Sequence, residues 1–153
     1  MRSFLDLISS ENPESNYPYS TPEYREMFRH TLWMVPGVKE ASALSRLLKD
    51  HPVFGAYKVA NVAGDGDAEM PYDNALTLVK QVIKANRYTI TISCGKLTTG
   101  VTVKPWTGIF CFTSRRKSSS ACRSIEKVPS RNHFQDGAFL LWIRANISRR
   151  NRR

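Results

Sequence analysis

At 153 residues, with 41% apolar and 24% charged side chains, the chain has the size and composition of one globular domain able to bury a core. Its longest apolar runs, 108–112 and 138–143, are far too short to span a bilayer, and its start, with Asp6 and Glu11 beside a single arginine, is unlike a secretory leader, so the expected place is the cytoplasm. The formal charge of +10 divides unevenly: residues 1–112 hold 12 Lys+Arg against 11 Asp+Glu, whereas residues 113–153 hold 11 against 2, so the basicity belongs to the tail and reads as a solvated polycation.

Residues 1–29 read as a lead-in segment. Phe4, Leu5, Leu7 and Ile8 form a short apolar cluster, followed by a connector rich in Pro, Asn and Ser. Thr21 is placed to cap a short helix with Pro22 at its first position, and Tyr24, Met27 and Phe28 then share one face. The apolar run 30–35, stopped by Pro36 and Gly37, fits a buried strand. From Lys39 the period changes to that of a helix, with Ala41, Leu44, Leu47 and Leu48 on one face and an end before Pro52. A second strand is expected at 57–62, and AGDGDAEMP (63–71) reads as a polar loop. Ala75, Leu76, Val79, Val82 and Ile83 mark a second amphipathic helix, with Asp73 or Asn74 available as its cap.

At 88–93, Tyr88, Ile90 and Ile92 alternate with Thr89, Thr91 and Ser93, the period of a strand. Cys94 and Gly95 interrupt it, and Leu97, Thr98, Thr99, Gly100, Val101, Thr102, Val103 and Pro105 follow as a hydroxyl and glycine run before a further strand at 107–112. Strands alternating with helices indicate an α/β fold with a mainly parallel sheet and right-handed crossovers. In such a sheet, hydroxyls and bare amides beyond the carboxyl end of a strand lie where ligands bind. The tail has no sustained period, and only 138–147 (AFLLWIRANI) offers a short apolar element.

Several chemistries have no support. There is no GxxxxGK[ST] loop and no DExx pair after a strand, GDGD at 64–67 faces phosphates with carboxylates, and no Ser/His/Asp set or GxSxG elbow is present. Cys94, Cys111 and Cys122 are odd in number and show no CxxC spacing, so reduced, structural thiols and no metal site are expected. His30, His51 and His133 stand alone in sequence and read as structural or solvated. No catalytic residue is assigned.

Three blocks, HTLWMVPGVKEASALSRLL, VANVAGDGD and TITISCGKLTTGVTVKPWTGIF, in this order, resemble the second RecA-like domain of superfamily 2 helicases, in particular the bacterial DEAD/DEAH-box family associated with restriction-modification systems. The resemblance covers roughly residues 4–112. It implies a partial RecA-like α/β domain at 30–112, flanked by the lead-in segment and by a tail, 113–153, that is poorly structured and basic, disordered or read from another frame. By position, Pro36 and Gly37 fall in a motif IV-like turn, and Lys96, Thr98, Thr99 and Gly100 in a motif V-like loop, both implied to touch the nucleic-acid backbone. Thr102 stands where many relatives carry an acidic residue, and the resemblance implies a nucleotide-sensing role there.

The first helicase domain and the arginine helix of motif VI have no counterpart, so the expectation is a fragment of an ATP-dependent DNA helicase, inactive alone. ATP and Mg are implied for the parent only. The expected partners are DNA and a missing first helicase domain or restriction-modification subunits, with no membrane. The alternative expectation is a small, non-catalytic, basic nucleic-acid-binding protein.

Overall fold

The computed structural model of the protein describes residues 1–12, 14, 17–65, 68–69, 71–95, 97, 103–113 and 145–146. In chain order these form α1 (Arg2–Ser9), α2 (Pro22–Met27), β1 (His30–Met34), α3 (Val38–Lys49), a 3-10 turn (Phe54–Ala56), β2 (Lys58–Asn61), β3 (Gly64–Asp65), β4 (Ala68–Glu69), α4 (Tyr72–Ala85), β5 (Thr89–Ser93), β6 (Gly108–Thr113) and β7 (Ala145–Asn146). The main sheet has the order β2-β5-β1-β6-β7, and every pairing within it is parallel. The α/β architecture with a parallel sheet, expected from the alternation of strands and helices, is the one observed.

The strand order dictates where the helices lie. From β1 the chain moves two places along the sheet to β2, then turns back one place to β5. Right-handed crossovers running in opposite directions must cover opposite faces. Accordingly, Ala41, Leu44 and Leu48 of α3 pack in one buried cluster with Trp33, Ile90, Ile92, Phe110 and Phe112, while Ala75 and Val79 of α4 pack in another with Leu32, Met34, Val62 and Cys111. The step from β5 across β1 to β6 runs in the same direction as the step through α4, and Leu97, Val103 and Trp106 from that connection join the α4 cluster.

The α3 face is aromatic, and the lead-in segment covers much of it. Leu5 and Ile8 of α1 are buried there, and Phe4 meets Phe112 edge to face with ring centroids 5.5 Å apart. Tyr19 is fully buried among Phe28, Trp33, Phe54, Tyr57 and Phe110. Each such ring pair adds about 0.5–1.5 kcal/mol beyond the area it removes from water. Thr31 Oγ1 serves two of these rings, 2.9 Å from the Trp33 Nε1 that donates to it and 3.2 Å from the Tyr19 hydroxyl. His51 pins α1 at the far end: its Nδ1 accepts from the Val53 and Phe54 amides at 3.2 and 3.4 Å, which leaves Nε2 to donate to Asp6 Oδ1 at 3.2 Å. Its role is structural.

Four local expectations need correction. Thr21 caps α2 as expected, its side chain accepting from the Tyr24 amide at 3.3 Å, but Met27 faces solvent and only Phe28 is buried. The loop 63–71 contains a small hairpin in which Gly64 faces Glu69 and Asp65 faces Ala68, a two-residue connection of the kind glycine and aspartate favour. Helix α4 starts earlier than its apolar period suggests, with Pro71 at the cap position and no side-chain cap, and Asp73 instead sits in the first turn, where a carboxylate complements the helix dipole. All five residues of β5 are buried, so its hydroxyls do not face water: α4 and the β5–β6 connection cover them. The two described tail residues, β7, place Ala145 opposite Phe112 and Asn146 opposite Thr113. They fall inside the apolar run 138–147, and the rest of the tail lies outside the described residues.

Candidate nucleic-acid interface

Strands β1 and β5 are neighbours, in register from His30 and Thr89 to Met34 and Ser93, and the pairing continues one step further through the Val35 amide, 2.8 Å from the Ser93 carbonyl. Beyond that point the two chains part. From β1, Val35, Pro36 and Gly37 lead to α3 on the aromatic face; from β5, Cys94 and Gly95 lead toward Leu97 on the α4 face. Adjacent strands whose connections leave to opposite faces open a crevice at their carboxyl ends, the place where open α/β sheets bind ligands. The turn holding Pro36 and Gly37 and the start of the hydroxyl loop therefore share one edge of the sheet.

The two sides of this edge are built differently. Gly37, the residue before α3, has extended backbone, and a side chain there would meet Glu40 Oε2 2.6 Å from its Cβ. The Glu40 carboxylate thus fronts the first turn of α3, an end that would otherwise present unpaired amides to an anion. On the other side, Gly95 has φ +110 with open space around it, so the need for glycine there is conformational rather than steric. Leu97 also has a positive φ, 60, yet its side chain is only 3% exposed. A leucine in this region has no signature in the sequence, and neither does the carboxylate in front of α3.

Of the residues expected to bind, Pro36 and Gly37 are described and both are half-buried. Lys96, Thr98, Thr99, Gly100 and Thr102 lie outside the described residues. The ATP and magnesium implied for a parent helicase do not fit the described edge, because phosphates approaching the start of α3 would meet the Glu40 carboxylate. Among the described residues there is no cluster of three His, Cys, Asp or Glu side chains able to hold a metal ion. No described helix is long and apolar enough to cross a membrane.

Shifted ionisation is found elsewhere. Burial, reinforced by the Arg29 charge, pushes the His30 imidazole below its ordinary value, and its Nδ1 lies 2.9 Å from Thr89 Oγ1. The Tyr88 hydroxyl donates to Glu26 Oε1, which lowers the Glu26 pKa and raises that of Tyr88, and Arg87 joins the same oxygen at 2.7 Å. These groups precede β1 and β5, at the amino end of the sheet, opposite the crevice. Burial raises Tyr19 and Tyr57 within the aromatic core.

No family profile and no solved structure matches the chain. It is 27% identical over 126 residues to a Mycoplasma pneumoniae protein described as "Putative type II restriction enzyme and methyltransferase RM.MpnORF110P C-terminus". The alignment takes in 80% of this chain but 17% of that protein, so the chain spans a small part of the relative's length. Over most of its length the chain is thus similar to part of a protein with a restriction-modification description.

Proposed function

We propose that the chain is a RecA-like module of a DNA helicase of restriction-modification type, corresponding to the second helicase domain, and that it holds the nucleic-acid backbone without performing nucleotide chemistry itself. The observation that carries this reading is the crevice between β1 and β5, where the Pro36–Gly37 turn and the start of the hydroxyl loop leave one sheet edge. The likeness to a restriction-modification protein over 80% of the chain supports the choice of system. Hydroxyls of Thr98 and Thr99 and the amide of Gly100 would donate to phosphate oxygens, contacts that position a strand and read no bases. Each such bond to a charged partner contributes about 1.5–3 kcal/mol.

The tail supports a second source of affinity, since its 11 Lys+Arg against 2 Asp+Glu suit counterion release. The two sources separate by salt. Binding of the full chain to single- and double-stranded DNA should fall with a log-log slope of about 0.7–0.9 per phosphate neutralised. Truncation after Thr113 should remove most of that slope and leave a weaker residue of binding. Thr98→Ala with Thr99→Ala should then lower the residue severalfold for every DNA sequence tested, with the circular dichroism spectrum unchanged. If all affinity leaves with the tail, the chain is a small basic nucleic-acid-binding protein and the helicase reading fails.

A further inference from the structure

The connection from β5 to β6 has to pass β1 on the α4 face, and it does so without a helix. Its described parts are fastened to one apolar cluster at both ends of residues 98–102. Leu97 lies before that run and Trp106 after it, 3% and 8% exposed, and both pack with Leu32 and Met34 of β1, Ala75 and Val79 of α4, and Cys111 of β6. Val103 packs against the same cluster, and the Trp106 amide closes a turn on the Val103 carbonyl at 3.0 Å.

Leu97 carries the stronger signal. With φ 60 it occupies the left-handed region, which glycine enters freely and an unconstrained leucine rarely does. A non-glycine residue persists there when its surroundings over-determine it. The surroundings here are the cluster that buries its side chain. Loss of that burial would release the backbone conformation as well, so position 97 couples the core of the sheet to the chain direction on either side of it. The neighbours whose direction is set this way are Lys96 and Thr98.

We propose that Leu97 is a positioning residue: its buried side chain and left-handed backbone, with Trp106 as the second tether, hold the hydroxyl run in register with the β1–β5 crevice for contact with a nucleic-acid backbone. This rests on the function proposed above for the same loop.

Two variants of the full-length protein separate the components. Leu97→Gly keeps access to a positive φ and loses the tether; Leu97→Val keeps an apolar side chain and, being β-branched, disfavours a positive φ. Amide hydrogen exchange in peptides spanning 94–107 should speed up by roughly tenfold or more in both, with β1 and β5 peptides changing less. Binding to an oligothymidylate at a salt concentration that screens the tail should weaken severalfold in both, as it should for Thr98→Ala with Thr99→Ala. Unchanged exchange in Leu97→Val overturns the proposal, as does faster exchange in either variant without loss of binding while the threonine variant loses it. If neither the threonine variant nor the Leu97 variants lose affinity, the loop does not bind, and the functional reading falls together with the inference built on it.

Discussion

On the aromatic face, strands β1, β5 and β6 present Trp33, Ile90, Ile92, Phe110 and Phe112 to α1, α3 and the lead-in rings; on the other face the same three strands present Leu32, Met34, Thr89, Thr91, Ser93 and Cys111 to α4 and a helix-free connection. The first surface is filled by large rings in mutual contact, the second by shorter and partly polar side chains. Dense ring packing fixes a single arrangement, because removal of any member leaves a void its rigid neighbours cannot fill. A surface of hydroxyls and thioethers can shift by small amounts at lower cost. The difference teaches a division of labour: one face holds the sheet together, and the other carries the loop that meets the candidate interface.

The largest effect should come from breaking the rigid face. Trp33→Ala removes a fully buried ring that touches Tyr19, Phe54, Phe110 and Phe112, and should cost about 3–5 kcal/mol in urea unfolding. A loss below about 1 kcal/mol would mean the rings rearrange, and the contrast between the faces would dissolve.

A smaller effect of opposite sign is expected beneath α4. Thr91 Oγ1 is buried and has no hydrogen-bond partner, flanked by Leu32 and Ala60 on the adjacent strands. Thr91→Val replaces that hydroxyl by a methyl of similar shape, so thermal unfolding should move upward by about 2–4 °C, the shift that about 1 kcal/mol produces in a chain of this size. A downward shift would show that the hydroxyl is paired in solution and that the face is less forgiving than proposed.

The smallest effect is a pH dependence. His30 bonds Thr89 on the α4 side, and its pKa is held below the ordinary imidazole value by burial first and Arg29 second. The folded state therefore binds its proton less readily than the unfolded state does. Stability is full above the ordinary value of about 6.5 and is lost as pH falls below it, through the depressed folded value. His30→Gln should flatten urea midpoints measured between pH 7 and the acid limb. An equal slope in the variant would assign the dependence to carboxylates.

The sequence disclosed the elements whose burial and period agree. Ala41, Leu44 and Leu48 recur at helical spacing because α3 buries one face and wets the other, and β1 reads as a solid apolar run because both its faces are covered. It misled at β5, where Thr alternating with Ile suggests one wet face; the hydroxyls are buried because the crossover rule sends two successive connections over them, and that depends on strand order, which no local pattern carries. Helix α1 was invisible for a related reason. Eight residues without a side-chain cap are too few to be stable by propensity, and this helix exists because Leu5, Ile8 and Phe4 reach the sheet. At the candidate site, the Pro36–Gly37 turn and the glycine after β5 were legible as breaks in apolar runs. The carboxylate in front of α3 and the left-handed Leu97 were not, since neither glutamate nor leucine advertises those roles.

The central place of β1 sets a schedule for the newborn chain. Its partners in the sheet lie 59 residues further on in β5 and 77 further on in β6. At about 5–20 residues per second, a ribosome needs roughly 4–15 s to make the longer span. Throughout that interval the strand HTLWM, among the most apolar in the chain, has no neighbour to pair with, and the rings gathered around Tyr19 lack Phe110. Synthesis in the cell thus passes through a stage in which the future centre of the sheet is an open, sticky edge, and a chaperone that shields short apolar segments would find its binding site there.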